Sequence, residues 1–114
     1  MFSSGVISES KTISTATTTN YTAVPIPNGA CRVVNTLIDI TRTTGTVSNL
    51  ELQITHDGTN YATLANDATG YAASATVRLQ ANFPTGTLAR LAVTTTGTVD
   101  VVAVSQMVFA SERM

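Results

Sequence analysis

The residues of this chain that could carry chemistry are few and scattered. His56 is the single histidine and Cys31 the single cysteine. Nucleophilic catalysis needs a nucleophile, a base within reach and a group to orient that base, and nothing in the sequence brings these two together. Seven carboxylates, Glu9, Asp39, Glu51, Asp57, Asp67, Asp100 and Glu112, show no spacing that singles out an acid and base pair for glycoside hydrolysis. Asp57, Thr59 and Asn60 supply oxygens around Gly58, but a calcium loop uses more than one carboxylate and the D-x-D-x-D-G pattern is missing. His56 alone lacks the partners of a zinc site, and Cys31 alone excludes an intramolecular disulfide and reads as a buried structural thiol. The expectation is a protein that is not an enzyme and that uses no metal or cofactor. What remains is recognition: Tyr21, Tyr61 and Tyr71 are the aromatics with a polar tip on which a sugar ring could stack, and with Asp57 they form the candidate contacts to a glycan or a partner.

The surface around these residues is almost uncharged. Threonine accounts for 22 of 114 residues, and charged residues for only 11%, against about 25% in an ordinary soluble domain. Threonine is β-branched and favours a pleated, half-buried surface, and its hydroxyl is cheaper to desolvate than a charge. A face built from it can be covered by a neighbour at little cost. The formal net charge is −1, and Lys11, Arg32, Arg42, Arg78, Arg90 and Arg113 stand singly. That leaves no basic stripe for a nucleic acid, whose binding rests on clustered cations. The apolar run Val101 to Val104 is far shorter than the roughly 20 residues of a membrane-spanning helix. Met1 to Lys11 shows neither the cationic start nor the apolar stretch of a signal peptide. With Met1 as the natural start, synthesis in the cytoplasm without export is therefore expected, and the sequon at Asn20 to Thr22 reads as chance.

The elements that must position these residues are strands. Leu50, Leu52 and Ile54 alternate with Glu51, Gln53 and Thr55; Ala75, Val77, Leu79 and Ala81 alternate with Thr76, Arg78 and Gln80; Ala89, Leu91 and Val93 interleave with Arg90, Ala92 and Thr94. Arg78 and Arg90 thereby fall on outward faces as solvated side chains, and Thr55 and Thr76 fall on outward faces too. Val33, Val34, Leu37, Ile38 and Ile40, like Val99 to Phe109, read as strands covered on both sides, hence either central or packed on a partner through their outer face. Asp39 and Asp100 interrupt those runs, either as edge-strand charges that block mispairing or as partners of an arginine such as Arg42 across an interface. Turn residues lie between the runs: Pro25 to Gly29, Thr43 to Thr46, Asn82 to Gly86, and Thr94 to Thr98 as a tight reversal. Ala65 to Ser74 reads as a long loop or one helical turn. Seven or eight short strands at this spacing predict an all-β single antiparallel β-sandwich, jelly-roll or Greek-key. Residues 1–20 read as a Ser/Thr-rich extended N-terminal arm with one strand at most, which orders by adding to the edge of its own sheet or a neighbour's, and residues 21–114 as the sandwich domain.

The segment Leu50 to Leu64, LELQITHDGTNYATL, carries the most specific local pattern. Asp57 and Gly58 suit a tight hairpin, because Gly takes positive φ freely and Asp bonds the backbone two residues on; Tyr61 would close it by packing on the preceding strand. This strand, DGTNY and strand arrangement resembles a hairpin of small β-sandwich structural proteins in tailed-bacteriophage virions, and also of some bacterial surface and carbohydrate-binding sandwiches. The resemblance covers only this segment and carries over no catalytic residue. It implies a virion structural protein, above all a capsid decoration or cement protein on the capsid surface, in contact with copies of itself as a trimer or dimer and with a major capsid protein. The alternatives are a carbohydrate-binding or adhesion module of a fibre or spike, and a tail or connector component.

Overall fold

The computed structural model describes residues 6–14, 16–25, 31–41, 44–83 and 86–111. Nine strands follow in chain order: β1 (Val6–Ile13), β2 (Thr18–Asn20), β3 (Val24–Pro25), β4 (Cys31–Thr41), β5 (Thr46–Thr55), β6 (Tyr61–Asp67), β7 (Ala75–Asn82), β8 (Leu88–Thr96) and β9 (Val99–Ser111). They pair antiparallel into two sheets, ordered β1-β9-β4-β7 and β2-β8-β5-β6, with β3 pairing β8 beside β2. The chain crosses between the sheets six times, which is the winding of a jelly roll. The predicted all-β antiparallel sandwich is what the chain forms.

The alternation read from the sequence sets the inner faces. Leu50, Leu52, Ala89, Leu91 and Val93 from one sheet meet Val34, Ile38, Ile40, Val77 and Leu79 from the other, all buried. Fully burying one such aliphatic side chain stabilises the fold by roughly 1.5–3 kcal/mol. Thr36 also points into this core, its hydroxyl unpartnered among the described residues, a group whose desolvation costs about 1–3 kcal/mol.

Several expectations are corrected here. Asp39 is no edge charge: β4 lies between β9 and β7, and Asp39 accepts a hydrogen bond from the Thr76 hydroxyl at 2.8 Å. Arg42, the side chains of Cys31 and Asp100, and the turn after Pro25 lie outside the described residues. Ala65 to Ser74 forms no helical turn; Ala65 to Asp67 complete β6, and the rest is a loop bound to β5 through Tyr71. Thr94 to Thr96 belong to β8, so the reversal is confined to Gly97 and Thr98 and carries the chain to the other sheet. Thr55 is buried and Ile54 only partly so.

The low-complexity beginning of the chain builds two sheet edges. β1 pairs with β9 from Val6 to Ile13, and β2 pairs with β8 through Thr18, Thr19 and Asn20. Glu9 of β1 ties them together by accepting hydrogen bonds from the Thr22 backbone N–H at 3.1 Å and hydroxyl at 3.2 Å. Lys11 adds an ion pair to Glu9 at 3.5 Å and lies 5.7 Å from the Tyr21 ring centroid. Burial pushes the Glu9 carboxyl up, but the two Thr22 bonds and Lys11 outweigh it and hold the group below its ordinary value.

Candidate functional site

The outer face of the β2-β8-β5-β6 sheet gathers a connected set of polar side chains. Because Leu50, Leu52, Leu91 and Val93 turn inward, Glu51, Gln53, Arg90 and Thr94 turn outward. Register then aligns them in rows: Thr18, Thr94 and Asn49; Asn20, Ala92, Glu51 and Asn66; Arg90, Gln53 and Thr63. Within and between the rows the polar groups bond to one another. The Thr18 and Thr94 hydroxyls lie 3.0 Å apart, Asn49 Nδ2 donates to Glu51 Oε2 at 3.0 Å, Thr63 donates its hydroxyl to Glu51 Oε1, and Asn66 Nδ2 donates to Asn49 Oδ1 at 3.4 Å. Three of these pairs link two strands and the fourth joins neighbouring positions of β5, so the surface is ordered before any ligand arrives.

Arg90 lies on that face near the β5 to β6 hairpin. Its Nε donates to Gln53 Oε1 at 2.7 Å, and its guanidinium carbon sits 3.4 Å from the centroid of the Tyr61 ring. The arginine of β8 thus reaches over β5 to stack on a tyrosine of β6, a cation-π contact of the close planar kind. The expectation of a merely solvated Arg90 is overturned: the side chain is half-buried and fixed at two points. Arg78, on β7, is exposed as expected.

Beside Tyr61 the β5 to β6 hairpin is organised by Asp57. Its Oδ1 accepts the backbone N–H groups of Thr59 and Asn60, each at 2.8 Å, and the Thr55 hydroxyl at 3.0 Å, while Oδ2 accepts the Asn60 side-chain amide at 2.8 Å. The bonds from Asn60 and Thr59 hold its carboxyl far below the usual carboxylate range. Asp57 is therefore a turn-forming residue whose oxygens are already engaged. Thr55 is drawn under the turn by the same network, accepting the Gly58 backbone N–H at 3.0 Å, which explains its burial.

The other two tyrosines lie elsewhere. Tyr21 is 4% exposed, its backbone N–H bonded to the Leu91 carbonyl at 2.8 Å. Burial and then the nearby Glu9 carboxylate push its phenol up. Tyr21 is a core residue and offers no ring face to a ligand. Tyr71 exchanges both backbone hydrogen bonds with Val47 and donates its hydroxyl to Asp67 Oδ2 at 2.5 Å. That bond raises the phenol, while the hydroxyls of Thr69 and Tyr71 lower the Asp67 carboxyl. Val47 and Thr55 stand at opposite ends of β5, about 25 Å apart at strand rise. The structure therefore keeps Tyr61 with Asp57, separates Tyr71 and buries Tyr21.

Arg90, Gln53, Glu51 and Thr63 were missed as members of one face. Their outward placement follows from the alternation, but their meeting depends on the pairing of β5 with β6 and β8, which the sequence does not state. Among the described residues no group of three or more His, Cys, Asp or Glu side chains could hold a metal ion.

No protein-family model matches this chain, and no curated protein matches it. Among solved structures it is similar to a carbohydrate binding module from Cellvibrio mixtus lichenase 5A in complex with cellotriose. The identity is 11%, over 94% of this chain and 88% of the other, with a TM-score of 0.40. A likeness of that size bears on neither the fold nor the ligand.

Proposed function

We propose that this chain is a non-catalytic structural component of a tailed-phage virion, a decoration or cement protein of the capsid surface that acts as a homo-oligomer. The observation that carries this reading is the outer face of β2-β8-β5-β6, whose hydroxyl, amide and carboxylate groups are already bonded to one another. Covering groups that keep their hydrogen bonds costs little desolvation. Repeated over many copies, weak contacts of this kind sum to a strong clamp on neighbouring shell subunits. Particles carrying the protein should show it at intersubunit positions and resist heating better than particles without it. Equal resistance together with no ordered position on the shell would sink the reading, and a position on the tail would move the protein to a connector role.

A second reading, a carbohydrate-binding module, is favoured by one specific contact. Tyr61, stacked by Arg90 on a polar sheet face, supplies a fixed aromatic beside hydroxyl and amide groups. A glycan array answers it: saturable binding that disappears in Tyr61→Ala supports the module, and an array with no binding removes it.

A further inference from the structure

We propose that Arg90 is the anchor of an acidic saccharide: a uronic or sialic acid residue whose carboxylate accepts paired hydrogen bonds from the guanidinium while its hydroxyls meet Gln53, Thr63 and Asn66. This rests on the carbohydrate-binding reading and names its ligand class. A guanidinium that is partly withdrawn from water normally finds a carboxylate. Among the described residues Arg90 has none within ion-pair distance; it contacts the neutral Gln53 amide and the Tyr61 ring. Glu51, two residues along β5 from Gln53, is bonded to Thr63 and Asn49 instead.

The arrangement of Arg90 has directional consequences. The bond to Gln53 uses Nε alone, so both terminal nitrogens, which present the parallel pair of N–H groups suited to a carboxylate, are uncommitted among the described residues. Stacking on Tyr61 fixes the plane of that fork, so little rotamer freedom is left to lose on binding. Flanking residues settle the rest of the ligand's chemistry. Gln53 and Thr63 stand opposite one another in the same row as Arg90, and Asn66 follows in the next, giving hydroxyl and amide partners at the roughly 4.8 Å spacing of adjacent strands. One cation with its terminal nitrogens open, among hydroxyl and amide groups and with the nearby Glu51 carboxylate already engaged by Thr63 and Asn49, complements a ligand with one carboxylate and many hydroxyls.

The test is a titration of the full chain, followed by amide chemical shifts, with oligogalacturonate, its methyl ester, oligomannuronate, sialyllactose and hexaglutamate. At least one acidic saccharide should bind, shifting the amides of Gln53, Thr63 and Arg90. Esterification should weaken the galacturonate response, and Arg90→Gln should weaken binding by about tenfold or more, the loss expected for one charged hydrogen-bonded contact. Arg90→Lys retains the charge but loses the fork, and should recover only part of the affinity. Arg78→Gln, on the other sheet, should change nothing. Unfolding of Arg90→Gln would be visible in the same spectra, and Arg90→Lys then carries the comparison. Equal binding of acid and ester would overturn the carboxylate anchor while leaving the carbohydrate reading intact. Failure of every saccharide would overturn both, and tighter binding of hexaglutamate would make the occupant an acidic peptide and overturn the saccharide.

Discussion

Two glycine turns that look alike in sequence, Thr44-Gly45-Thr46 and Asp57-Gly58-Thr59, stand before and after β5 and behave in opposite ways. At Gly58 the backbone has a φ of +80° and an added Cβ would meet nothing within 4 Å. At Gly45 no unusual φ is involved, yet a Cβ would lie 2.7 Å from the Thr98 carbonyl oxygen and 2.8 Å from the Gly97 carbonyl carbon. Gly58 is needed for its conformation and Gly45 for its size. The difference follows from what each turn joins. The first carries the chain from one sheet to the other and packs against the second crossover at Gly97, held by the Gly45 N–H donating to the Thr98 carbonyl at 2.6 Å. The second joins neighbouring strands of one sheet and projects into solvent. One end of the molecule is closed by backbone against backbone, and the other is free to display Tyr61 and Arg90.

The largest effect should come from filling the closed end. Gly45→Ala pushes a methyl into main-chain atoms that no side-chain rotation can clear, so a loss of about 3 kcal/mol is expected. Chemical denaturation of the purified variant measures it, and a midpoint equal to that of the parent protein would mean that the two crossovers do not pack as described. Gly58→Ala should be milder, about 1 kcal/mol for a left-handed backbone carrying a Cβ. Gly58→Asn should recover part of that loss, because Asn tolerates the left-handed region. If Gly58→Ala proved as costly as Gly45→Ala, the open end would not be open.

The same contrast shows what the sequence made legible. Alternation at Leu50 and Leu52, at Val77 and Leu79, and at Leu91 and Val93 exposed the strands and their inner faces directly, because burial on one side of a sheet repeats every second residue. β1 and β2 were hidden, since a Ser/Thr-rich segment has little apolar signal; what orders them is pairing with β9 and β8. Thr55 was misplaced because the hydrogen-bonded turn, through Asp57 and Gly58, draws its hydroxyl inward against the alternation. Tyr21 was misjudged for a similar reason: a tyrosine next to a loop reads as exposed until two sheet edges close over it. Arg90 and Tyr61 lie far apart in the chain with β5 between them in space, so their stack depends on register, which no local pattern encodes.

A smaller and more selective effect separates the two turns by pH. Asp57 has its carboxyl lowered by the backbone N–H groups of Asn60 and Thr59, then by the Asn60 and Thr55 side chains. A carboxyl lowered in the folded state contributes stability that is fully present above its unfolded value of about 4, and that stability is lost as pH falls through the lower folded value. The turn at Gly45 is held by the Gly45 N–H and the Thr44 hydroxyl, both donating to the Thr98 carbonyl, and none of these groups titrates in that range. Acidification from neutral pH to far below the usual carboxylate range should therefore move the amide resonances of Thr59 and Asn60 while leaving those of Gly45 and Thr98 in place. In Asp57→Asn the hairpin response should vanish. If the Gly45 and Thr98 amides moved with the same midpoint as Thr59 and Asn60, acid would be loosening the sandwich as a whole. The hairpin would then not be an independently titrating end, and the Tyr61 and Arg90 face beside it would share the stability of the core.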